Sequence, residues 1–457
     1  MTTTPIEIDS ATSRIRAAFV NSGQYSFAEA DEKLATSRLS LFLSSEAANT
    51  PAGQAAFLTA TVTAARCYGA VSVHGHLDRP LLLPLPLRVG NLADAAFELG
   101  AVVADPFRNH AVLIGPVLDH ASAWSVQAHW DGWVAGVMPG RTTTALGRSD
   151  CVLAGVAAGA LAVGQAFMAE QGNPRAGRIA QTLSLWSPES GEVSSHNRGP
   201  LQADCYLPLR LWLIGLGNLG QAFLWSLSML PYPEPEKVLL FLQDDDYVKK
   251  ENWGTSVLVP RGRHGPLKTR IAEEWAEARK FRVRRIDRRL DKHLRLADRE
   301  PLLALAGLDR MPSRRLLGLP GFEYVIDAGL GATAADYEKV RINVFDSTLD
   351  PAQYFEGVED EADSRVAELM KLPAYQEIAR ESDDGRCGAA MLAEQSVAVP
   401  FVSGFAGALA ITQAIRIASG RNHYSTLTAD VGDLRTLRVN SGRAPARPVI
   451  DSARATS

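Results

Sequence analysis

Two stretches in the second half of the chain place reactive and binding side chains at spacings that chemistry can use. The first is LWLIGLGNLGQAF, in which Gly215, Gly217 and Gly220 form GxGxxG directly after an apolar run and at the mouth of a helix. Gly215 permits the tight turn, Gly217 lets a phosphate approach the backbone, and Gly220 lets the helix pack on the strand. Free N–H groups and the helix dipole then favour phosphate, with Asn218 next to them at the start of the helix. The next apolar run ends in Gln243-Asp244-Asp245-Asp246. A carboxylate at the end of that strand is where a nucleotide ribose is held. Asp244 is assigned that role, with Asp246 beside it; a solvated acidic turn accounts for at least one of the three. These residues suit NAD and ATP equally well.

The second stretch separates NAD from ATP. DDDYVKKENWGTSVL and then GPLKTRIAEEW supply Asp244 and Asp246, Asn252, and Gly265 with Lys268 opening the next helix. This run resembles the ThiF-type adenylyltransferases that include ubiquitin-activating enzymes. Adenylation sets a carboxylate against the α-phosphate of ATP and expels pyrophosphate, so a fixed lysine is needed where charge builds up. Taken alone, Lys268 would read as an ordinary first-turn lysine. The resemblance implies that Asn252 and Lys268 contact phosphates. In LALAGLDRMPSRRLL it implies that Asp309 holds Mg²⁺ and that Arg314, five residues on, belongs to the nucleotide site. Mg²⁺ accepts one protein carboxylate together with phosphates and water, although an aspartate there also serves as a helix cap. Two positions depart from the family: Arg310 stands where Asn is usual, and Thr255 where an Arg is usual. Arg261 or Arg263 would have to replace the latter, and Arg14, Arg16 and Arg38 are candidates for an arginine contributed by the partner domain. Asp327 in YVIDAGLG has Ala332 five residues on and is read as part of a fifth strand.

Cys387 lies in GRCGAAMLAEQSVAVPFVSGFAGALAITQAIR. Thioester-forming members of the family keep a nucleophilic cysteine shortly before a loop with proline and a last small-residue helix, a layout that Cys387, Pro400 and Phe401–Ser419 match. A thiolate attacks an acyl adenylate well because it is strongly nucleophilic and AMP leaves readily; Arg386 would lower its pKa. The plainer reading is a structural thiol. Cys67 and Cys151 sit in small-residue helices and read as core, and Cys205 is left open.

The elements that must carry these groups alternate between strand and helix, as in an α/β protein. In the first half, strands are expected at Arg38–Ser45, Gly69–His74, His110–Gly115 and Trp124–His129, with small-residue helices at Gly53–Arg66 and Asp150–Gln171. In the second, strands at Leu207–Ile214, Val238–Leu242, Phe281–Ile286, Leu302–Ala306 and Tyr324–Ala328 surround a helix at Lys268–Lys280. Leu349–Arg386 is acidic and polar and reads as a mobile excursion; its part from Glu356 to Asp363 and beyond is where a carrier's tail would thread. Arg148–Gln171 and Arg386–Ser419 echo each other: a cysteine, then a small-residue helix ending in a loop with glycine. Either both halves share one plan or buried Ala/Gly helices simply look alike.

At 457 residues the chain exceeds one core. It is 46% hydrophobic and 21% charged, with 47 basic against 51 acidic residues and a formal net charge of −4. That balance is globular and argues against coating nucleic acid or an acidic membrane. The 4 cysteines include no CxxC, so a zinc site of paired CxxC motifs is excluded and a disulfide framework is not expected. MTTTPIEIDS lacks a signal-peptide pattern, Val152–Met168 is the longest apolar candidate and falls short of a membrane span, and a cytoplasmic location is expected.

The expected architecture is a Rossmann-like adenylation domain with a mainly parallel sheet over 206–441, a divergent, inactive copy of the same fold over 1–205, and a disordered tail over 442–457. Ubiquitin-activating enzymes pair an active with an inactive adenylation domain, and simpler bacterial relatives are homodimers, so the resemblance implies a monomer with pseudo-dimeric halves or a homodimer. It further implies ATP and Mg²⁺ as cofactors, a small ubiquitin-like protein as substrate, transfer to Cys387, a conjugating enzyme as acceptor, and a setting associated with antiphage defence. Neither nucleic acid nor membrane is expected as a partner. The competing readings are adenylation alone, as with sulfur carriers or small carboxylates; an NAD(P)-dependent oxidoreductase, for which no nicotinamide-facing catalytic pair is visible; and a non-catalytic nucleotide-binding module.

Overall fold

In a computed structural model, the described residues are 10–117, 119–141, 144–190, 198–331, 333, 335–358, 362–381, 385–394, 397–442 and 450–456. The first half contains β1 (Arg38–Leu43), β2 (Ala70–Gly75), β3 (His110–Ile114), β4 (Trp124–Asp131), β5 (Val134–Pro139) and β6 (Gln181–Ser184). They form a six-stranded sheet in the order β2-β1-β3-β4-β5-β6. β2, β1, β3 and β4 run parallel, and β5 and β6 join antiparallel. Its helices are α1 (Ser13–Val20), α2 (Phe27–Thr36), α3 (Ser45–Ala48), α4 (Pro51–Cys67), α5 (Leu92–Glu98) and α6 (Val152–Glu170).

The second half repeats that plan and extends it. β7 (Tyr206–Pro208) is followed by β8 (Arg210–Ile214), β9 (Leu239–Gln243), β10 (Arg282–Ile286), β11 (Leu303–Ala306), β12 (Tyr324–Leu330), β13 (Lys339–Phe345), β14 (Tyr424–Asp430), β15 (Arg438–Ser441) and β16 (Ser452–Arg454). The eight-stranded sheet has the order β10-β9-β8-β11-β12-β13-β14-β15, parallel as far as β12 and antiparallel beyond. Its helices are α7 (Asn218–Met229), α8 (Asn252–Thr255), α9 (Lys268–Ala278), α10 (Met311–Arg315), α11 (Pro351–Tyr354), α12 (Ala362–Leu369), α13 (Pro373–Glu381), α14 (Gly385–Glu394) and α15 (Pro400–Ala418). The α/β class and the repetition of one fold are as expected.

Two differences from the sequence reading stand out. The expected strand Leu207–Ile214 is two strands, because β7 leaves the main sheet to pair antiparallel with β16. The tail is therefore ordered in part: Ser452 faces Pro208, Arg454 pairs with Asp204 at 2.6 Å, and Ile450 is buried. The stretch expected as a mobile excursion carries α11, α12 and α13; Glu356 to Val358 of the proposed threading segment are described, and 359–361 lie outside the described residues.

Within each half, small residues allow helices to touch. A Cβ on Gly155 or Gly159 of α6 would come within 2.1–2.2 Å of the Ala52 and Ala56 carbonyls of α4. Gly407 of α15 similarly approaches the Ala222 carbonyl of α7, at 2.8 Å. Across the seam Trp225 donates its indole N–H to Thr59 at 3.0 Å. α6 and α15 are long and apolar enough to cross a membrane, yet both are almost wholly buried in the protein. Apolar burial on all faces is how a central helix of a large core reads.

Candidate functional site

β8 lies between β9 and β11, all three parallel, so the chain reverses its direction of winding at β8. Ligands of open parallel sheets bind at such a point, outside the carboxyl ends of the strands. The loops after β8, β9 and β11 meet there. Gly215 has φ +83°, which favours glycine, and its N–H bonds the Gln243 carbonyl at 2.9 Å. Gly307, after β11, donates to the Ile214 carbonyl at 2.9 Å, and its own carbonyl would lie 2.7 Å from a Cβ at Gly215. A Cβ at Gly220 would strike the Gly215 carbonyl at 2.0 Å. Gly217, by contrast, caps α7 with nothing within 4 Å of its Cβ position. Beside that open space both polar atoms of the Asn218 amide are buried and lack a protein partner among the described residues.

Asp244 is built into this loop. One carboxylate oxygen accepts the Leu216 N–H at 2.6 Å and the other the Asp246 N–H at 2.8 Å. Burial pushes its carboxyl above the usual value, against the pull of the Lys268 charge and the two backbone bonds. Asp246 pairs with Lys268 at 2.7 Å. Burial opposes its ionisation, but the Lys268 hydrogen bond and charge win, and its carboxyl lies below the usual range. Lys268 arrives there because the chain doubles back. Val248 N–H bonds Pro266 O, Gly265 N–H bonds Val248 O, each at 2.8 Å, and Lys268 N–H bonds Asp246 O at 2.9 Å. The Lys268 side chain as a whole is 13% exposed. Asp244, Asp245 and Asp246 bring carboxylate oxygens within 4.8 Å of one another. Asp245 is paired with Arg289 at 3.3 Å, so each of the three has a protein partner.

Asn252 begins α8 and is nearly buried, its side-chain oxygen accepting the Lys249 N–H at 2.8 Å. Thr255 is buried in the same short helix. Arg261 stacks on Trp253, and Arg263 pairs with Glu274 at 2.7 Å. α8 is pinned by the first half, since a Cβ on Gly254 would lie 2.3 Å from the Ala11 carbonyl just before α1. Of the arginines considered there, Arg16 pairs with Asp31 at 2.9 Å and Arg38 bonds the Ala35 and Ser37 carbonyls at 2.8 Å. The Arg14 Nε is buried without a partner among the described residues.

Asp309 is exposed in the β11–α10 loop, two residues beyond the Gly307 contact with the glycine turn. Arg314 turns inward. It is buried, donates to the Leu308 and Ala328 carbonyls at 2.9 and 3.0 Å, and pairs with Asp327 at 3.5 Å. The sequence marks Asp327 only as a strand residue; its buried position cannot be read from spacing. Cys387 is exposed on α14, with Arg386 also exposed beside it. Cys67, Cys151 and Cys205 are buried.

A glycine turn, a strand-end carboxylate and a lysine paired with Asp246, at the switch point of a Rossmann-like sheet, define a nucleotide-binding type of α/β fold. Comparison with known proteins goes further. The BilD C-terminal domain family matches residues 207–421 and the BilD N-terminal domain family residues 38–185. The "Bacterial E1-like protein BilD" of Collimonas sp. (strain OK412) is 32% identical over 436 residues, 93% of each chain. The chain belongs to this family of bacterial E1-like proteins. Among solved structures, E. coli MccB with SeMet MccA has a TM-score of 0.33 at 13% identity, covering 56% of this chain and 69% of that one. E. coli MccB with MccA-N7isoASN has a TM-score of 0.35 at 13% identity, covering 53% and 66%.

Proposed function

We propose that the protein activates the C-terminal carboxylate of a small ubiquitin-like protein with ATP and passes it to Cys387 as a thioester. The observation that carries the nucleotide part is the open Gly217 turn with the Asn218 amide beside it, which has no partner among the described residues, next to the Asp244–Asp246–Lys268 chain. Asp244 accepts from the ribose hydroxyls. The N–H groups at the start of α7 meet phosphate. The Asn252 NH₂, its oxygen already committed to Lys249, donates to a phosphate. Lys268 leaves Asp246 for the phosphate oxygens as negative charge shifts to the departing pyrophosphate. Arg14 is the guanidinium supplied by the first half. Asp309 offers a hard, exposed oxygen and fits Mg²⁺, which would neutralise phosphate charge.

In the first step a carboxylate oxygen of the carrier attacks the α-phosphorus, and the bond to the bridging oxygen breaks to release pyrophosphate. In the second, the Cys387 thiol loses its proton to solvent, its sulfur attacks the acyl carbon, and AMP departs. A conjugating enzyme would take the acyl group onward, in a cytoplasmic system of the antiphage type. The first half supports the second as an inactive copy. Incubating the chain with ATP, Mg²⁺ and a carrier ending in a glycine tail should give a thiol-sensitive adduct that Cys387→Ala abolishes while pyrophosphate exchange persists. Exchange without any adduct in the wild-type protein would leave adenylation alone, the second reading; no exchange with any carboxylate would refute both.

A further inference from the structure

The registers of the two sheets superimpose strand by strand. Leu43 pairs with Gly75 and Ile114 in the first half, as Ile214 pairs with Gln243 in the second and lies beside Ala306. Continuing outward, Ile114 faces Ala128, which faces Val137; Ala306 faces Asp327, which faces Asn343. One cross-strand position is therefore an apolar pair in one half and a wholly buried acid–amide pair in the other, since Asp327 and Asn343 are both 0% exposed. Burying a carboxylate costs stability unless it is paired and hydrogen-bonded, so the substitution calls for a reason in the second half.

The contacts supply one. Asn343 donates to Asp327 at 3.2 Å and accepts from the Tyr354 hydroxyl at 3.0 Å. Asp327 faces the Arg314 guanidinium at 3.5 Å. A Cβ at Gly329 would lie 2.7–2.9 Å from the Arg314 nitrogens, so a glycine there makes room for the guanidinium. Arg314 in turn grips the Leu308 carbonyl at 2.9 Å, immediately before Asp309, and the Ala328 carbonyl at 3.0 Å. We propose that Asp327 is a positioning residue of the adenylation site: it holds Arg314 in place, and Arg314 clamps the loop that presents Asp309. Asp327 touches no nucleotide itself. The role rests on the adenylation reading above, and it concerns only how the Asp309 carboxylate is held.

The test compares how much Mg²⁺ tightens binding of a non-hydrolysable ATP analogue, measured calorimetrically on the full chain with and without Mg²⁺. Asp327→Asn should keep the Mg²⁺-free affinity within about twofold, and both it and Arg314→Lys should cut the Mg²⁺ increment by about tenfold, the scale on which outer-shell partners act on metal affinity. Arg314→Lys keeps the charge next to Asp327 but loses the fork that reaches two carbonyls, so it reports on the clamp even if Asp327→Asn folds poorly. An unchanged Mg²⁺ increment in folded variants overturns the clamp alone. A wild-type chain that binds the analogue with no Mg²⁺ increment overturns the adenylation reading and the clamp together.

Discussion

The two halves share a sheet plan and differ at the turn after the first strand. In the second half β8 runs through Gly215 and Gly217 straight into α7, leaving open room over Gly217. In the first half the same place holds α3, capped by the Ser44 side chain, which accepts the Ala47 N–H at 3.1 Å. Gly115 has φ +83° and a Cβ there would meet Ser44 Oγ at 2.4 Å, so the inserted turn fills the mouth. Yet the third glycine of the motif survives. Gly53 is the third residue of α4, as Gly220 is of α7, and a Cβ at either would lie 2.0–2.1 Å from the carbonyl of Ala47 or Gly215. Where Asp244 follows Gln243, register places His76 after Gly75. The glycine that serves helix packing is kept in both halves; the two features proposed to serve a ligand, the open Gly217 turn and Asp244, are present in one.

The largest effect should come from making the second half chemically like the first. Lys268→Ala removes the cation that is fixed on Asp246 and should lower carrier-dependent pyrophosphate exchange by about 10²-fold or more, the usual cost of one preorganised donor. Exchange at the wild-type rate would take Lys268 out of the phosphate site and leave the two halves chemically alike.

Next come the glycines, which separate packing from binding. Gly53→Ala and Gly220→Ala each drive a Cβ into a backbone carbonyl, and should cost about 1–3 kcal/mol in urea unfolding. Gly217→Ala meets no neighbour, and although its ψ of −146° lies outside the usual β range, its unfolding midpoint should fall less than those of the other two while ATP affinity drops about tenfold, a loss worth about 1.4 kcal/mol. A Gly217→Ala protein that binds ATP normally would show that the open turn is not the phosphate cradle.

Much of this site was legible because each of its parts is local in sequence. A glycine turn lies between one strand and one helix, and Asp244, Asp246, Asn252 and Lys268 fall within one excursion that closes on itself through the Val248–Gly265 bonds. The illegible part is set by long-range pairing. β14 and β15 carry no turn signal that fixes their order, and they attach to the sheet after α11 to α15 intervene. β16 is three residues long, too short for a period of two to show, and forms only because β7 offers it an edge. Arg314 and Asp327 are thirteen residues apart and read as unrelated, since their ion pair depends on β11 and β12 lying side by side. The common plan of the halves was expected, but which residues correspond was hidden for the same reason: α3 interrupts the motif, and only register reveals that Gly53 answers Gly220.

Two acids on the second half titrate unusually, with opposite readouts. Burial raises the Asp244 carboxyl, so the ionised form that a ribose needs is lost at a higher pH than for an ordinary aspartate. ATP affinity should therefore fall on acidification from above the usual carboxylate range, and Asp244→Asn should bind weakly with no such dependence. Glu338 lies against Asp430 where β13 meets β14, next to Tyr337, whose hydroxyl reaches Gln171 of the first half at 2.7 Å. Burial and the Asp430 charge push its carboxyl up to about 7 from 4.5. A folded value above the unfolded one adds stability at low pH that is lost as pH rises from about 4.5 through 7, on the order of 3 kcal/mol. Glu338→Gln should flatten that loss in urea midpoints taken between about pH 5 and pH 8, which bracket the transition. A wild-type midpoint that rises across this range would contradict the assignment.

The smallest effect is a difference among thiols, and it bears on which half handles the acyl group. Burial pushes Cys67 and Cys151 well above the ordinary thiol value, and Cys205 up to about 12. At neutral pH none of the three holds an appreciable thiolate, and all three are shielded from reagents. Cys387 is exposed on α14. Brief iodoacetamide treatment of the native chain should thus modify Cys387 alone, leave ATP-analogue affinity and unfolding midpoint unchanged, and prevent the carrier adduct. Labelling of Cys67 or Cys151 on the same timescale would mean that α4 and α6 open in the native state, and that the core of the first half is looser than its glycine contacts imply.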